Sequence, residues 1–272
     1  MSLGTTLKQA RRQLGRSQKA IATGLCAQSM LSAIENDHYT PNAKLLLALC
    51  RRLDISLEAI SLADDFTISN SDSLNTQMQQ LCNQHRYQDL QQFLTDPATL
   101  AMVTTAQQTQ AYYYYLGVAQ LHVDSQLTAA TQNLTFAMTM TESRHLTLLT
   151  RLAMASLATV AAKQHHQRRA NQLIDQALAN IDQSSYEENL NIIFYLAALT
   201  AYFLSDDQLA ANRLQAGITF ITAHNSHYML ANSYRLLAEL ATRTGHADEA
   251  TTATHKQQFL TDLFHEKVPK AF

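Results

Sequence analysis

Glycine and proline are scarce in this chain, with 6 and 3 in 272 residues. A β-sandwich or a doubly wound α/β fold needs more turn punctuation than that. Cysteine is scarce as well, and Cys26, Cys50 and Cys82 form an odd, widely spaced set. They make neither a disulfide framework nor a zinc pattern, and Cys26 reads as a small core hydrophobe. The sequence has no run of 18 apolar residues, and its start, MSLGTTLKQARRQLGRSQ, lacks the apolar stretch of a signal peptide. A soluble, cytoplasmic protein with no membrane partner is therefore expected. Metal signatures, glycine-rich phosphate loops and nucleophile motifs are also missing, so no catalysis, cofactor or metal is expected. His165-His166 beside Arg168-Arg169 reads as a solvated corner between helices, and Met138 and Met140 read as packing.

What is abundant is Ala, Leu, Gln and Thr in long stretches without a helix breaker, with 46% hydrophobic residues to build a core. The composition predicts an all-α fold. The net charge of −2 conceals a division along the chain. Residues 1–53 carry eight basic side chains (Lys8, Arg11, Arg12, Arg16, Lys19, Lys44, Arg51 and Arg52) against Glu35 and Asp37, a balance of +6. The remainder holds 12 basic and 20 acidic residues, a balance of −8. A small basic head on a large acidic body implies an anionic partner for the head alone.

The head reads as short helices. Leu3, Leu7, Ala10 and Leu14 share one helical face, and Gly15 ends it. Ser17 caps a second helix with Ile21, Ala22 and Leu25 turned inward. A third spans about Ala27 to Asn36, and a fourth spans about Asn42 to Leu53 with Leu45, Leu46, Leu49 and Leu53 on its apolar side. A fifth is expected at Ile55–Ile60. Two short helices joined by a tight turn, the second polar outside, describe a helix-turn-helix. Ser17-Gln18, Ile21-Ala22, Gln28-Ser29-Met30-Leu31-Ser32-Ala33-Ile34-Glu35-Asn36 and Pro41 resemble the XRE/Cro-type domain over about 60 residues.

That resemblance implies that the third helix enters the DNA major groove. Gln28 would read base edges, since an amide can donate to and accept from adenine, with Ser29, Ser32 and Ala33 beside it. Gln18 would contact the DNA backbone at the start of the second helix. Arg12, Arg16, Lys19 and Lys44 are looser phosphate candidates, whereas Arg11 would pair with Glu35 in a structural role. The sequence departs from the family pattern at Asp37, where glycine is usual, and at Ala33, which is often basic.

The body repeats every 40 residues. Leu90, Ala130, Ala170, Ala210 and Ala250 form one series, and Leu94, Leu134, Ile174, Leu214 and Thr254 form another. Upstream run the bulky series Leu74, Tyr114, Met154, Phe194 and Tyr234, then Met78, Val118, Ala158, Ala198 and Ala238. Turns are expected near His85, Val123, Gln164, Ser205 and Gly245. The order of bulky and small positions resembles the tetratricopeptide repeat, lengthened from 34 residues to 40. The resemblance implies a right-handed α-solenoid of about five helix pairs, closed by a capping helix at about Ala247 to Phe264. Projecting its pattern places Tyr112, Tyr115, His122, Ile192, Tyr195, Leu199, Tyr202, Asn232, Arg235 and Glu239 on the concave side. Such a lining of tyrosines, amides and a few charges suits an extended peptide.

The chain thus divides into a head at 1–63, a polar linker at 64–72 and a repeat domain at 73–272. An XRE-type head followed by such repeats resembles the Rgg/PlcR-type (RRNPP) regulators of Gram-positive bacteria, and Cys26-Ala27-Gln28-Ser29 resembles the PlcR branch. Membership implies a homodimeric transcription factor on double-stranded DNA with paired half-sites. A short signalling peptide in the repeat groove would shift the placement of the two heads. The alternative is a DNA-bound scaffold whose repeats recruit a protein partner without any peptide signal.

Overall fold

The computed structural model describes residues 3–36, 38–55, 66–123, 126–140, 146–183, 186–269 and 272. Every regular element among them is helical. The chain separates into two compact units, Met1–Phe66 and Thr67–Phe272.

In the first unit, α1 (Leu3–Gln13), α2 (Gln18–Ala22), α3 (Gln28–Glu35) and α4 (Ala43–Leu53) enclose one core. Leu7, Ile21, Leu31, Ile34, Leu49 and Leu53 lie at its centre, each worth about 1.5–3 kcal/mol of burial. Met30, the neighbour of Leu31, faces outward. Local chemistry sets the helix boundaries. Gly15 and Gly24 adopt φ +62 and +75, a conformation that an L side chain resists, and so end α1 and shape the turn between α2 and α3. Ser17 Oγ accepts from the Ala20 amide and Asn42 Oδ1 from that of Leu45, capping α2 and α4. Arg52 Nη1 donates to the carbonyls of Ile21 and Thr23, tying α4 to the α2–α3 turn. Cys26 packs against this core, and burial pushes its thiol pKa up, as suits an unreactive side chain. Asp37 and most of the expected fifth helix (56–60) lie outside the described residues, as do the first two linker positions, 64 and 65.

Among the described residues, the second unit holds five helix pairs: α5 (Asp72–Asn83) with α6 (Tyr87–Thr95), α8 (Ala106–Leu121) with α9 (Leu127–Thr139), α10 (Leu148–Lys163) with α11 (Gln167–Leu178), α12 (Leu190–Phe203) with α13 (Asp207–Ala223), and α14 (Leu230–Arg243) with α15 (Ala247–Phe264). A short α7 (Pro97–Ala101), with Asp96 as its cap and Pro97 at its first turn, fills the first inter-pair connection. The sequence pattern had not marked it. The turns inside the pairs recur at 40 residues, on left-handed residues His85, His165, Ser205 and Gly245. The corresponding position 125 lies outside the described residues. After each turn the next amide bonds back five positions: Arg86 to Leu81, His166 to Ala161, Asp206 to Ala201 and His246 to Ala241, all at 2.8–3.0 Å. These are Schellman closures, which satisfy carbonyls the helix ends would otherwise orphan.

The series of small or apolar positions packs as the period requires. Leu90, Ala130, Ala170 and Ala210 are fully buried, while Ala250 in the last pair is partly open. Helices α8, α10, α12 and α14 neighbour one another in that order and form one wall of the array. Helix α10 is buried on nearly every side, and its few polar side chains there, among them Thr150, Arg151, Ser156 and Thr159, are buried with the apolar ones. Its buried Arg151 donates through Nη1 to the Ala177 and Ala179 carbonyls at 2.7 and 2.8 Å, placing its charge at the C-terminal end of α11.

Candidate functional site

Each unit presents a candidate site. In the head, the exposed side of α3 carries Gln28 and Ser29, with Ser32 and Ala33 half-buried behind them. Four side chains link α1, α2 and α3. Arg11 grips Glu35 with both ends of its fork, Nε to Oε1 at 2.6 Å and Nη2 to Oε2 at 2.8 Å. Gln18 Nε2 donates to the same carboxylate at 2.7 Å, and Gln18 Oε1 accepts from Gln28 Nε2 at 2.7 Å. Burial alone would raise the Glu35 pKa. The hydrogen bonds from Arg11 and Gln18, with the charges of Arg11 and Lys8, outweigh it and hold the carboxyl below its ordinary range. The buried pair thereby fixes the orientation of Gln18, which in turn holds Gln28. Arg12, Arg16, Lys19 and Lys44 are exposed around this surface.

In the repeat unit, α8, α10, α12, α14 and the α5–α6 turn surround a cavity of about 370 Å³. Its apolar floor includes Val118, Leu121, Ile192, Leu196 and Leu199. Tyr114, Tyr195 and Tyr228 line it too, and burial holds their phenols above the usual pKa, so they remain protonated. Burial pushes the Cys82 thiol up to about 12, which removes its nucleophilic form. A polar relay crosses one wall. His85 Nε2 faces the Lys267 carbonyl at 3.0 Å, and His85 Nδ1 lies 2.8 Å from the Tyr87 hydroxyl. A carbonyl can only accept, so Nε2 carries the proton and the Tyr87 hydroxyl donates to Nδ1. The Tyr87 ring stacks on His122, with centroids 4.0 Å apart. Burial lowers the pKa of both imidazoles. His122 as a residue is exposed at the edge of the cavity, while Tyr87 and the surrounding protein cover its ring closely enough to lower its pKa.

The helix-turn-helix family profile matches residues 7–60. The head is a helix-turn-helix domain. Among solved structures, the chain is similar to PlcR of Bacillus thuringiensis in complex with the peptide PapR7 and DNA, with a TM-score of 0.68 at 18% identity over 97% of this chain and 95% of that one. Apo PlcR from the same organism gives 0.57 at 15% identity, covering 94% of each chain. ComR from S. thermophilus, in complex with DNA and its signalling peptide ComS, gives 0.55 at 11% identity, covering 97% and 94%. A comparison with curated protein sequences found no match. The chain therefore has the fold of these proteins: a helix-turn-helix head followed by helical repeats.

Of the ten residues projected onto the groove, the cavity lining contains His122, Ile192, Tyr195, Leu199 and Asn232. Tyr202 and Arg235 lie against Phe272, itself part of the lining, and Arg235 also pairs with Glu239 at 3.0 Å. Tyr112 and Tyr115 are buried outside the lining, and the Tyr112 hydroxyl donates to the Leu94 carbonyl at the end of α6. Sequence reasoning missed Tyr87, Tyr114 and Tyr228. Tyr114 already stood in the bulky repeat series, where it read as packing. It also missed Glu266, Lys267, Pro269 and Phe272, which follow α15 and line the same cavity.

Proposed function

We propose that the chain is a sequence-specific DNA-binding transcriptional regulator whose repeat domain binds a short signalling peptide. The observation that carries this reading is the pairing of two surfaces in one chain. The helix-turn-helix presents amides and hydroxyls on α3, ringed by cations, and the repeat unit holds a tyrosine-lined cavity with buried Asn232 at its wall. PlcR and ComR, whose fold it shares, were solved with DNA and a peptide bound. In this reading Gln28, Ser29, Ser32 and Ala33 face base edges, and Gln18, Arg12, Arg16, Lys19 and Lys44 face the phosphate backbone. His122, Ile192, Tyr195, Leu199 and Asn232 line the peptide's path. The protein acts in the cytoplasm as a homodimer on paired half-sites, and among the described residues no helix is long and apolar enough to cross a membrane.

The test is binding of the purified protein to DNA upstream of its own gene, in moderate salt, with and without short hydrophobic peptides encoded nearby. Specific binding that a peptide strengthens or releases is expected. Specific binding indifferent to every peptide would instead favour a scaffold whose repeats hold a protein partner.

A further inference from the structure

The segment after α15 turns back into the repeat array. His265 takes a left-handed conformation, φ 56, at the end of the helix. Glu266 Oε1 then accepts from the Met229 amide at 2.9 Å and from Asn232 Nδ2 at 2.8 Å. The Lys267 carbonyl accepts from Asn232 Nδ2 at 3.2 Å and from His85 Nε2 at 3.0 Å. One backbone carbonyl is thus shared between α14 and the α5–α6 turn. Further along, the Phe272 ring sits edge-on to Tyr202 at 5.7 Å, with the Arg235 guanidinium 5.1 Å over its face.

We propose that this segment occupies the peptide groove as a built-in, displaceable ligand, so that an extrinsic peptide binds by exchanging with it at residues 266–269 and 272. The proposal rests on the reading of the cavity as a peptide site. Two features make the segment a stand-in rather than a fixed wall. Both partners of Asn232 Nδ2 are acceptors, which fixes the orientation of the amide and leaves Asn232 Oδ1 buried without a donor. An extended peptide offers a C=O and an N–H, whereas this segment supplies acceptors alone. Glu266 Oε2 is likewise buried with no partner, so docking strips water from a carboxylate that the groove satisfies at one oxygen. A better ligand is a short extended peptide that gives Asn232 a C=O and an N–H. It carries no acidic side chain at the Glu266 position and places an aromatic residue between Tyr202 and Arg235. The segment competes through its high effective concentration, which tethering supplies without strong contacts.

The experiment uses the full chain, the double variant Glu266→Ala/Phe272→Ala and a synthetic peptide with the sequence of residues 265–272. Trypsin should cleave after Lys267, whose carbonyl is held by Asn232 and His85, slowly in the unaltered chain and at least tenfold faster in the double variant. By calorimetry, the double variant should bind the synthetic peptide at least tenfold more tightly than the unaltered chain does. Adding Asn232→Ala should abolish that binding. The single variant Phe272→Ala, altering a side chain outside the buried core, should show the same trend if the double variant folds poorly. Equal cleavage in both proteins, or a double variant that ignores the peptide, would overturn the proposal. An extrinsic peptide that binds while residues 265–272 stay protected would also overturn it, yet leave peptide sensing intact. Exchange of the segment in a protein whose DNA binding no peptide alters would do the reverse.

Discussion

Gln18 and Gln28, ten residues apart at the starts of α2 and α3, share a 2.7 Å hydrogen bond, and Gln18 is itself held by the buried Glu35. The first amide is oriented from within the domain, and the second is held where α3 faces outward. If Gln28 reads DNA as proposed, it is held in place before DNA binds, which would reduce the ordering cost of binding.

Replacing Gln28 with alanine should weaken binding to the specific DNA site by about 1–3 kcal/mol and relax preference at the base it reads. The melting temperature should stay unchanged, since the side chain is exposed. Fluorescence anisotropy on specific and scrambled DNA checks this. Equal affinity for both proteins on both DNAs would remove Gln28 from the readout.

Arg11→Ala should cost the head about 3 kcal/mol, because it strands Glu35, 2% exposed, with Gln18 as its remaining side-chain partner. The same pair sets a pH dependence. The folded-state pKa of Glu35 is depressed, so its stabilisation is complete above the ordinary glutamate pKa and is lost as pH falls through the lower folded value. Amide protection factors of α1 and α3, corrected for the intrinsic pH dependence of exchange, should fall on acidification more in the unaltered chain than in Arg11→Ala. Parallel curves would show that the pair contributes no acid sensitivity.

Gly117→Ala should destabilise the repeat unit by about 1–3 kcal/mol. A Cβ at this position would lie 2.7 Å from Leu134 Cγ and 3.2 Å from the Leu134 amide nitrogen, where α8 and α9 approach closely. Thermal unfolding checks it. An unchanged or raised melting temperature would mean that the Leu134 side chain and its helix yield at little cost.

Asn232→Ala should lower affinity for an extrinsic peptide while leaving DNA binding by the peptide-free protein intact. Calorimetry and anisotropy on the same preparation separate the two effects. Loss of peptide-free DNA binding would give Asn232 a structural role instead.

The repeat was legible because stacking imposes its own period. Leu90 and the alanines at 130, 170 and 210 are fully buried where helices pack, and the turns at 85, 165, 205 and 245 fall on the same register. The head was legible through its cap Ser17 and through the Arg11–Glu35 pair, whereas Asn42, read as the first residue of the fourth helix, is its cap. The groove was read less well, for a geometric reason. Successive helical residues point about 100° apart, so the run Tyr112 to Tyr115 winds through one turn and a phase error of one residue exchanges core and groove. Tyr114 lines the cavity, while Tyr112 spends its hydroxyl on Leu94. The segment beyond α15 left no sequence signal at all. Its contact with His85 spans 182 positions and belongs to no period.

The central claim is that one chain couples a DNA surface to a peptide groove, and coupling is reciprocal. The most direct measurement is the peptide's dissociation constant with and without saturating specific DNA, together with the DNA's constant with and without peptide. The account predicts that both change by the same factor, about 5–150-fold. A peptide that binds equally well to free and DNA-bound protein would contradict it.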